Sequence, residues 1–132
     1  MSVFSNKSAG RLAGCHPDLQ AVMNEAIKTV DFTVLCGHRG EAAQNEAFRR
    51  GNSKVRFPNS KHNANPSLAV DIAPYPIDWE DTGRFKALAE RVLAIADHMG
   101  IELEWGGNWT SLVDMPHYQI REVKGGKENT RS

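Results

Sequence analysis

The chain has 132 residues, with 16 Lys+Arg balanced by 16 Asp+Glu and a formal net charge of zero. That length suits one domain, residues 1–132, with a real core and no second module, and the even charge gives no footprint for nucleic acid or an anionic membrane. No apolar run approaches the roughly 18 residues of a membrane helix, and Met1–Lys7 lacks the apolar centre of a signal peptide, so a soluble, cytoplasmically made monomer without membrane insertion is expected.

Residues 1–10 are mostly small and polar with little periodicity and read as a surface tail. Pro17 then suits a first helical turn, and Leu19, Val22, Met23, Ala26, Ile27 and Val30 recur at helical spacing as a core stripe. Residues 31–36 are rich in β-formers and read as a strand ending at Gly37. Arg39 follows at a strand-to-helix corner, where a side chain can project into a cleft, and a helix over 41–48 stops at Gly51. Residues 52–66 form a long loop. Residues 68–73 read as a short apolar strand interrupted by Asp71. Pro74 and Pro76 turn the chain, Asp81 or Thr82 caps the next helix, and Phe85, Leu88, Ala89, Val92, Leu93, Ala96 and Met99 give it an unbroken apolar stripe up to Gly100. A strand over 101–105, a Gly-rich loop over 106–109, a last strand over 117–120 and a frayed tail over 124–132 complete the chain. The expected fold is α+β, a small antiparallel sheet with about three helices packed on it.

His62, Asp71 and His117 offer two imidazoles and a carboxylate, the ligand set of a catalytic zinc site that leaves a fourth position for water. A lone Asp inside an apolar strand costs several kcal/mol, of order 2–7, unless it is paired or ligates a metal, which makes Asp71 the clearest functional residue. Asp114, three residues before His117, suits a general base beside that water. Glu102 and Glu104 are its rivals, but both sit on one face of a strand and read as solvated. The same ligand types also serve non-haem iron, so the residues alone leave the metal open. Ser60 either binds substrate or caps its turn. Trp105 and Trp109 divide between core and groove, with Trp109, beside two glycines, the better groove residue. His16, His38 and His98 read as structural or surface histidines. Cys15 and Cys36 belong to no C-x-x-C pair and read as reduced free thiols, Cys36 buried at its strand end, with no part in metal binding.

The segments SKHN...PSLAVDIAPY, ELEWGGNW and DMPHYQI resemble the zinc peptidases of phage lysis and bacterial wall metabolism. These are the L-alanyl-D-glutamate endopeptidases and the related D-alanyl-D-alanine carboxypeptidases. CGHRGEAAQNEAFRRGNSK is similar to the family's Arg-bearing segment, so the likeness runs from about Leu12 to Ile120. It implies a Hedgehog/D,D-peptidase-like fold and an Arg39 that faces the substrate; Gln44, Ser60 and Trp109 are the expected substrate contacts. Many relatives place the first His and the Asp closer together. Here Asn63–Ser67 lengthens the link, an insertion a loop absorbs at small entropic cost, and the groove rim beside His62 is expected to differ. Asp in place of Glu at position 114 points to the endopeptidase branch. The resemblance thus implies an endolysin that cuts the L-Ala–D-Glu bond in peptidoglycan peptide stems and reaches the wall with the help of a separate membrane-permeabilising protein. The alternatives are a D-Ala–D-Ala carboxypeptidase and a non-catalytic, zinc-stabilised wall-binding or virion protein.

Overall fold

The computed structural model describes residues 2–110 and 113–121. Four short strands, β1 (Phe32–Cys36), β2 (Ala69–Pro74), β3 (Leu103–Trp105) and β4 (His117–Ile120), form one sheet in the order β1-β2-β4-β3. Every neighbouring pair is antiparallel. Because side chains alternate across a strand, each strand contributes to two different surfaces. Val34, Val70, Ile72, Tyr118 and Ile120 join the buried core. Asp71, His117, Gln119 and Glu104 alternate with core residues and meet one another by cross-strand pairing on the opposite face.

The core face is covered by the two helices with apolar stripes, α2 (Pro17–Ala26) and α4 (Thr82–His98). Leu19, Val22, Met23 and Ala26 from the first, and Leu88, Ala89, Val92 and Ala96 from the second, belong to the same buried cluster. Asp81 caps α4, its side chain accepting from the Arg84 N–H at 3.3 Å, and Gly100, at φ 76°, follows the helix end with a left-handed residue that glycine adopts without strain. His16 accepts from the Asp18 N–H as the N-cap of α2, a structural role, and His38 is exposed.

The segment expected to be a tail contains a helix, α1 (Asn6–Ala13), so among the described residues there are four α-helices rather than about three. Ser5 caps it by accepting from the Ser8 N–H at 3.1 Å. The reason it forms lies outside its own sequence. Strand β1 is an edge strand, and α1 satisfies its outward backbone: the Val34 N–H donates to Ser8 Oγ at 3.0 Å, and Arg11 Nη1 donates to the Val34 carbonyl at 3.0 Å. An exposed strand edge is a pairing hazard, and this helix covers it at Val34 with side-chain hydrogen bonds. Smaller adjustments are that α2 stops at Ala26, leaving Val30 packed on the core from the following turn, and that β3 starts at Leu103. The expected tail over 124–132 lies outside the described residues.

Candidate active site

The helix α3 (Glu41–Arg49) and the 3-10 turn Lys61–Asn63 flank the polar face of the sheet. In the sheet register Asp71 stands opposite His117 on one side and Cys36 on the other. A bulge between Val34 and Cys36 produces the second pairing, shifting the register by one residue so that Cys36 meets Asp71. His62 reaches the same place from the 3-10 turn. Ser60 caps that turn, accepting from the His62 N–H at 3.1 Å, so the cap reading of Ser60 is realised while Ser60 also lines the groove. The groove has a volume of about 550 Å³, and Arg39, Lys54, Ser60, Trp109 and Asp114 contribute to its wall around His62, Asp71 and His117.

Asp71 Oδ1 lies 3.3 Å from His62 Nε2 and 3.0 Å from His117 Nδ1. The far nitrogen of each ring is already engaged. His62 Nδ1 is 2.7 Å from the Gly37 carbonyl, and His117 Nε2 is 2.9 Å from Gln119 Oε1; both oxygens only accept, so both of those nitrogens carry hydrogen. A neutral ring at either position therefore turns a bare lone pair toward the same carboxylate oxygen. That arrangement is repulsive unless a proton or a cation sits among the three, which is the condition a metal site must meet. Gly37 can offer its carbonyl because it has no Cβ, which at that position would collide with the Arg11 carbonyl of α1.

The metal-free electrostatics reflect the same convergence. Burial alone would lower the His62 pKa, but the hydrogen bond and charge of Asp71, with a contribution from Cys36, raise it from 6.5 to about 10. Burial would raise the Asp71 carboxyl, yet His117 and His62 hold it well below the usual carboxylate range. Asp114 shifts the other way, pushed up by burial and by the charge of Asp71. Its Oδ2 lies 3.9 Å from His117 Nδ1, and its side chain remains 47% exposed, open to a water in the groove. Gly106 fixes that position: its carbonyl accepts from the Asp114 N–H at 3.0 Å, and a Cβ on it would collide with the Asp114 carbonyl.

Arg39 lines the groove. Its guanidinium lies 3.8 Å from Asp71 Oδ2 and donates to Gln44 Oε1 at 2.9 Å. Gln44 itself corrects the expectation of a substrate contact. It is fully buried, its amide donates to Ser53 Oγ at 2.8 Å and the Val55 carbonyl at 2.7 Å, and its oxygen accepts from Arg39 and Asn63. With every donor and acceptor engaged inside the protein, Gln44 ties Arg39 to the groove wall rather than meeting a substrate. Trp109 lies in the groove wall, its ring 5.3 Å from that of His117, whereas Trp105 is 7% exposed and donates to the Met115 carbonyl at 2.7 Å.

Two further corrections concern residues read as bystanders. Glu104 is not a solvated strand charge; it accepts from Trp109 Nε1 at 2.7 Å and from Gln119 Nε2 at 3.3 Å. Cys36 is only partly buried, and its sulfur lies 3.9 Å from His62 Nδ1 and 3.6 Å from an Arg39 nitrogen. Cys36, His62 and Asp71 each offer a ligand atom within 4.8 Å of the others, a possible metal-binding triad that overlaps the His62–Asp71–His117 cluster. Burial raises the Cys36 thiol, but His62 and Arg39 outweigh it and lower the pKa. The buried Cys15 differs, since burial pushes its thiol up to about 12, and both cysteines are free. The signal for Cys36 was absent from the sequence because it depends on the bulge.

The family model described as phage L-alanyl-D-glutamate peptidase matches residues 1–127. The L-alanyl-D-glutamate peptidase of Escherichia phage T5 is 32% identical over 124 residues, covering 89% of this chain and 88% of that protein. The crystal structure of the Serratia marcescens L-Ala D-Glu endopeptidase ChiX superposes with a TM-score of 0.77 at 36% identity, over 89% of this chain and 88% of that one. The four-stranded antiparallel sheet with its helices is accordingly the Hedgehog/D,D-peptidase-like fold that the resemblance implied. Matched along nearly its whole length in sequence and in architecture, the chain belongs to the phage L-alanyl-D-glutamate peptidase family.

Proposed function

We propose that this protein is a zinc peptidase that hydrolyses the L-Ala–D-Glu bond in the peptide stems of peptidoglycan, acting as a single-domain, monomeric endolysin. The observation that carries the reading is the convergence of two imidazole nitrogens on one Asp71 oxygen, at 3.3 and 3.0 Å, on the floor of a groove with a raised-pKa carboxylate beside it. Both named relatives are L-Ala–D-Glu peptidases, which favours that bond over the D-Ala–D-Ala carboxypeptidase alternative.

His62 Nε2, Asp71 and His117 Nδ1 would hold the zinc. Cys36 is the rival ligand, but its sulfur faces His62 on the Nδ1 side, where the Gly37 carbonyl already binds at 2.7 Å. Using Cys36 through that nitrogen would break the buried hydrogen bond to Gly37, whereas the Nε2 set keeps that bond and gives up only the proton shared with Asp71. A zinc ion held there would supply a water of lowered pKa, toward about 7, and a Lewis acid for the scissile carbonyl. Asp114, held by Gly106 and lifted in pKa, accepts a proton from the attacking water and returns it to the leaving amine. Arg39, braced by Gln44, presents a guanidinium to the negative charge that develops on the substrate oxygen. Trp109 and Ser60 line the groove, which supports their contact with the stem peptide.

No helix among the described residues is long and apolar enough to cross a membrane. As part of this proposal, access to the wall depends on a separate permeabilising protein. The test is a muralytic assay on purified peptidoglycan with and without chelator. Lysis that stops with chelator and returns with zinc supports the reading, and chelator-insensitive lysis contradicts the metal assignment.

A further inference from the structure

We infer that Glu104 is a positioning residue for His117, acting through Gln119, and that it sets which ring nitrogen of His117 is free to bind metal. The inference rests on the zinc reading above and extends it to a side chain outside the ligand cluster. Glu104 and Gln119 are register partners on β3 and β4, and His117 lies two residues before Gln119 on the same face of its strand. The three are joined in one chain of hydrogen bonds. Gln119 Nε2 donates to Glu104 Oε1 at 3.3 Å, and His117 Nε2 donates to Gln119 Oε1 at 2.9 Å.

The direction of this chain follows from chemistry at its far end. A glutamine amide can be turned either way, and a neutral imidazole can carry its hydrogen on either nitrogen, so neither Gln119 nor His117 defines an order alone. A carboxylate has no such freedom because it only accepts. Glu104 therefore takes the NH₂ end of Gln119, which turns the amide oxygen toward His117. That oxygen requires a hydrogen on Nε2, leaving the Nδ1 lone pair directed at Asp71 Oδ1, 3.0 Å away. Both ring neighbours are shielded from water, with Gln119 at 7% and His117 at 8% exposure, so solvent does not rescue a reversed amide. The second Glu104 oxygen accepts from Trp109 Nε1 at 2.7 Å and holds the indole against the His117 ring, so one carboxylate supports both the ligand and the groove wall above it.

Glu104→Gln keeps the size of the side chain and an acceptor for Trp109 but can also donate, so Gln119 is free to reverse and His117 to place its hydrogen on Nδ1. Partners that orient metal-binding histidines typically change metal affinity by about 10–100-fold when removed. The experiment measures zinc dissociation constants of the full chain by competition with a chromophoric chelator for wild type, Glu104→Gln, Gln119→Leu and the double variant. The expected result is a 10–100-fold weaker constant for each single variant and a double variant no weaker than Gln119→Leu, since Glu104 acts through Gln119. At saturating zinc the Glu104→Gln enzyme regains turnover, which a lost general base would not permit. An unchanged constant in Glu104→Gln, or losses that add in the double variant, overturns the inference. Wild-type protein that binds no zinc overturns the zinc reading instead. A measurement on the wild type alone avoids dependence on any variant's folding: NMR of the zinc-loaded chain should show a His117 Nε2–H protected from exchange, and an Nε2 without hydrogen overturns the inference.

Discussion

Asp114→Asn separates the base from the ligands more cleanly than any other single change. The replacement keeps the side-chain shape, and the backbone that carries it is pinned by the Gly106 carbonyl at 3.0 Å and by the His117 N–H, which donates to the Asp114 carbonyl at 3.1 Å. The amide therefore stays where the carboxylate was. What disappears is the proton acceptor, and general-base catalysis usually contributes about 10²–10⁴-fold, or about 3–5 kcal/mol at 1.36 kcal/mol per decade. The side chain is 47% exposed, so solvent can take over part of the proton transfer, and the loss is expected near the lower end, about 10²–10³-fold. Turnover on purified peptidoglycan, read beside zinc content by metal analysis, gives both quantities from one preparation. Zinc should remain near one per chain. Loss of zinc would move Asp114 into the ligand set, and full activity with zinc retained would remove it from the mechanism. Glu104 would not be the replacement base, because both its oxygens already accept hydrogen bonds from Trp109 and Gln119.

Other outcomes follow from the same geometry. His62→Ala, Asp71→Ala and His117→Ala should each lose zinc and activity together, and should lose the zinc-dependent rise in melting temperature, worth about 2.7 kcal/mol at 100 times the dissociation constant. Cys36→Ser should keep its zinc; loss of zinc there would select the Cys36–His62–Asp71 set instead. Arg39→Lys should lower turnover at least about 10-fold, because an ammonium cannot both bond Gln44 and present a planar fork to the substrate, and near wild-type turnover would return Arg39 to a corner charge. In the metal-free chain, the His62 pKa is raised from 6.5 to about 10, so its imidazolium stabilises the fold fully below pH 6.5 and that contribution is lost as pH rises through about 10. Zinc must displace this proton, so apparent zinc affinity should rise from pH 6 to 9, and calorimetry near pH 7.5 in buffers of different ionisation enthalpy should register proton release. A pH-independent affinity would contradict the assigned role of His62.

The parts of the fold legible in sequence were those whose cause is local. The stripes of α2 and α4 repeat at helical spacing and form the core, and Asp71 stands out as a charge between Val70 and Ile72, both fully buried. Helix α1 was not legible because its support comes from the β1 edge, through Ser8 and Arg11, and not from an apolar stripe. Gln44 and Glu104 were misplaced for a related reason. A polar side chain on a helix or strand reads as substrate-facing or solvated until its partners are known, and those partners lie 9 and 11 residues away for Gln44, and 5 and 15 for Glu104. Cys36 required a bulge, which no residue type in the strand announces.

The central claim is that this cluster cuts one particular bond with the help of a metal, and product identification tests it most directly. Purified peptidoglycan should be digested with the zinc-loaded chain, the soluble fragments analysed by mass spectrometry, and their new amino termini determined. The account predicts stems that begin with D-Glu, glycan strands left carrying L-Ala, and disappearance of both products when zinc is removed by chelator. Release of terminal D-Ala, or the same fragments in the presence of chelator, would contradict it.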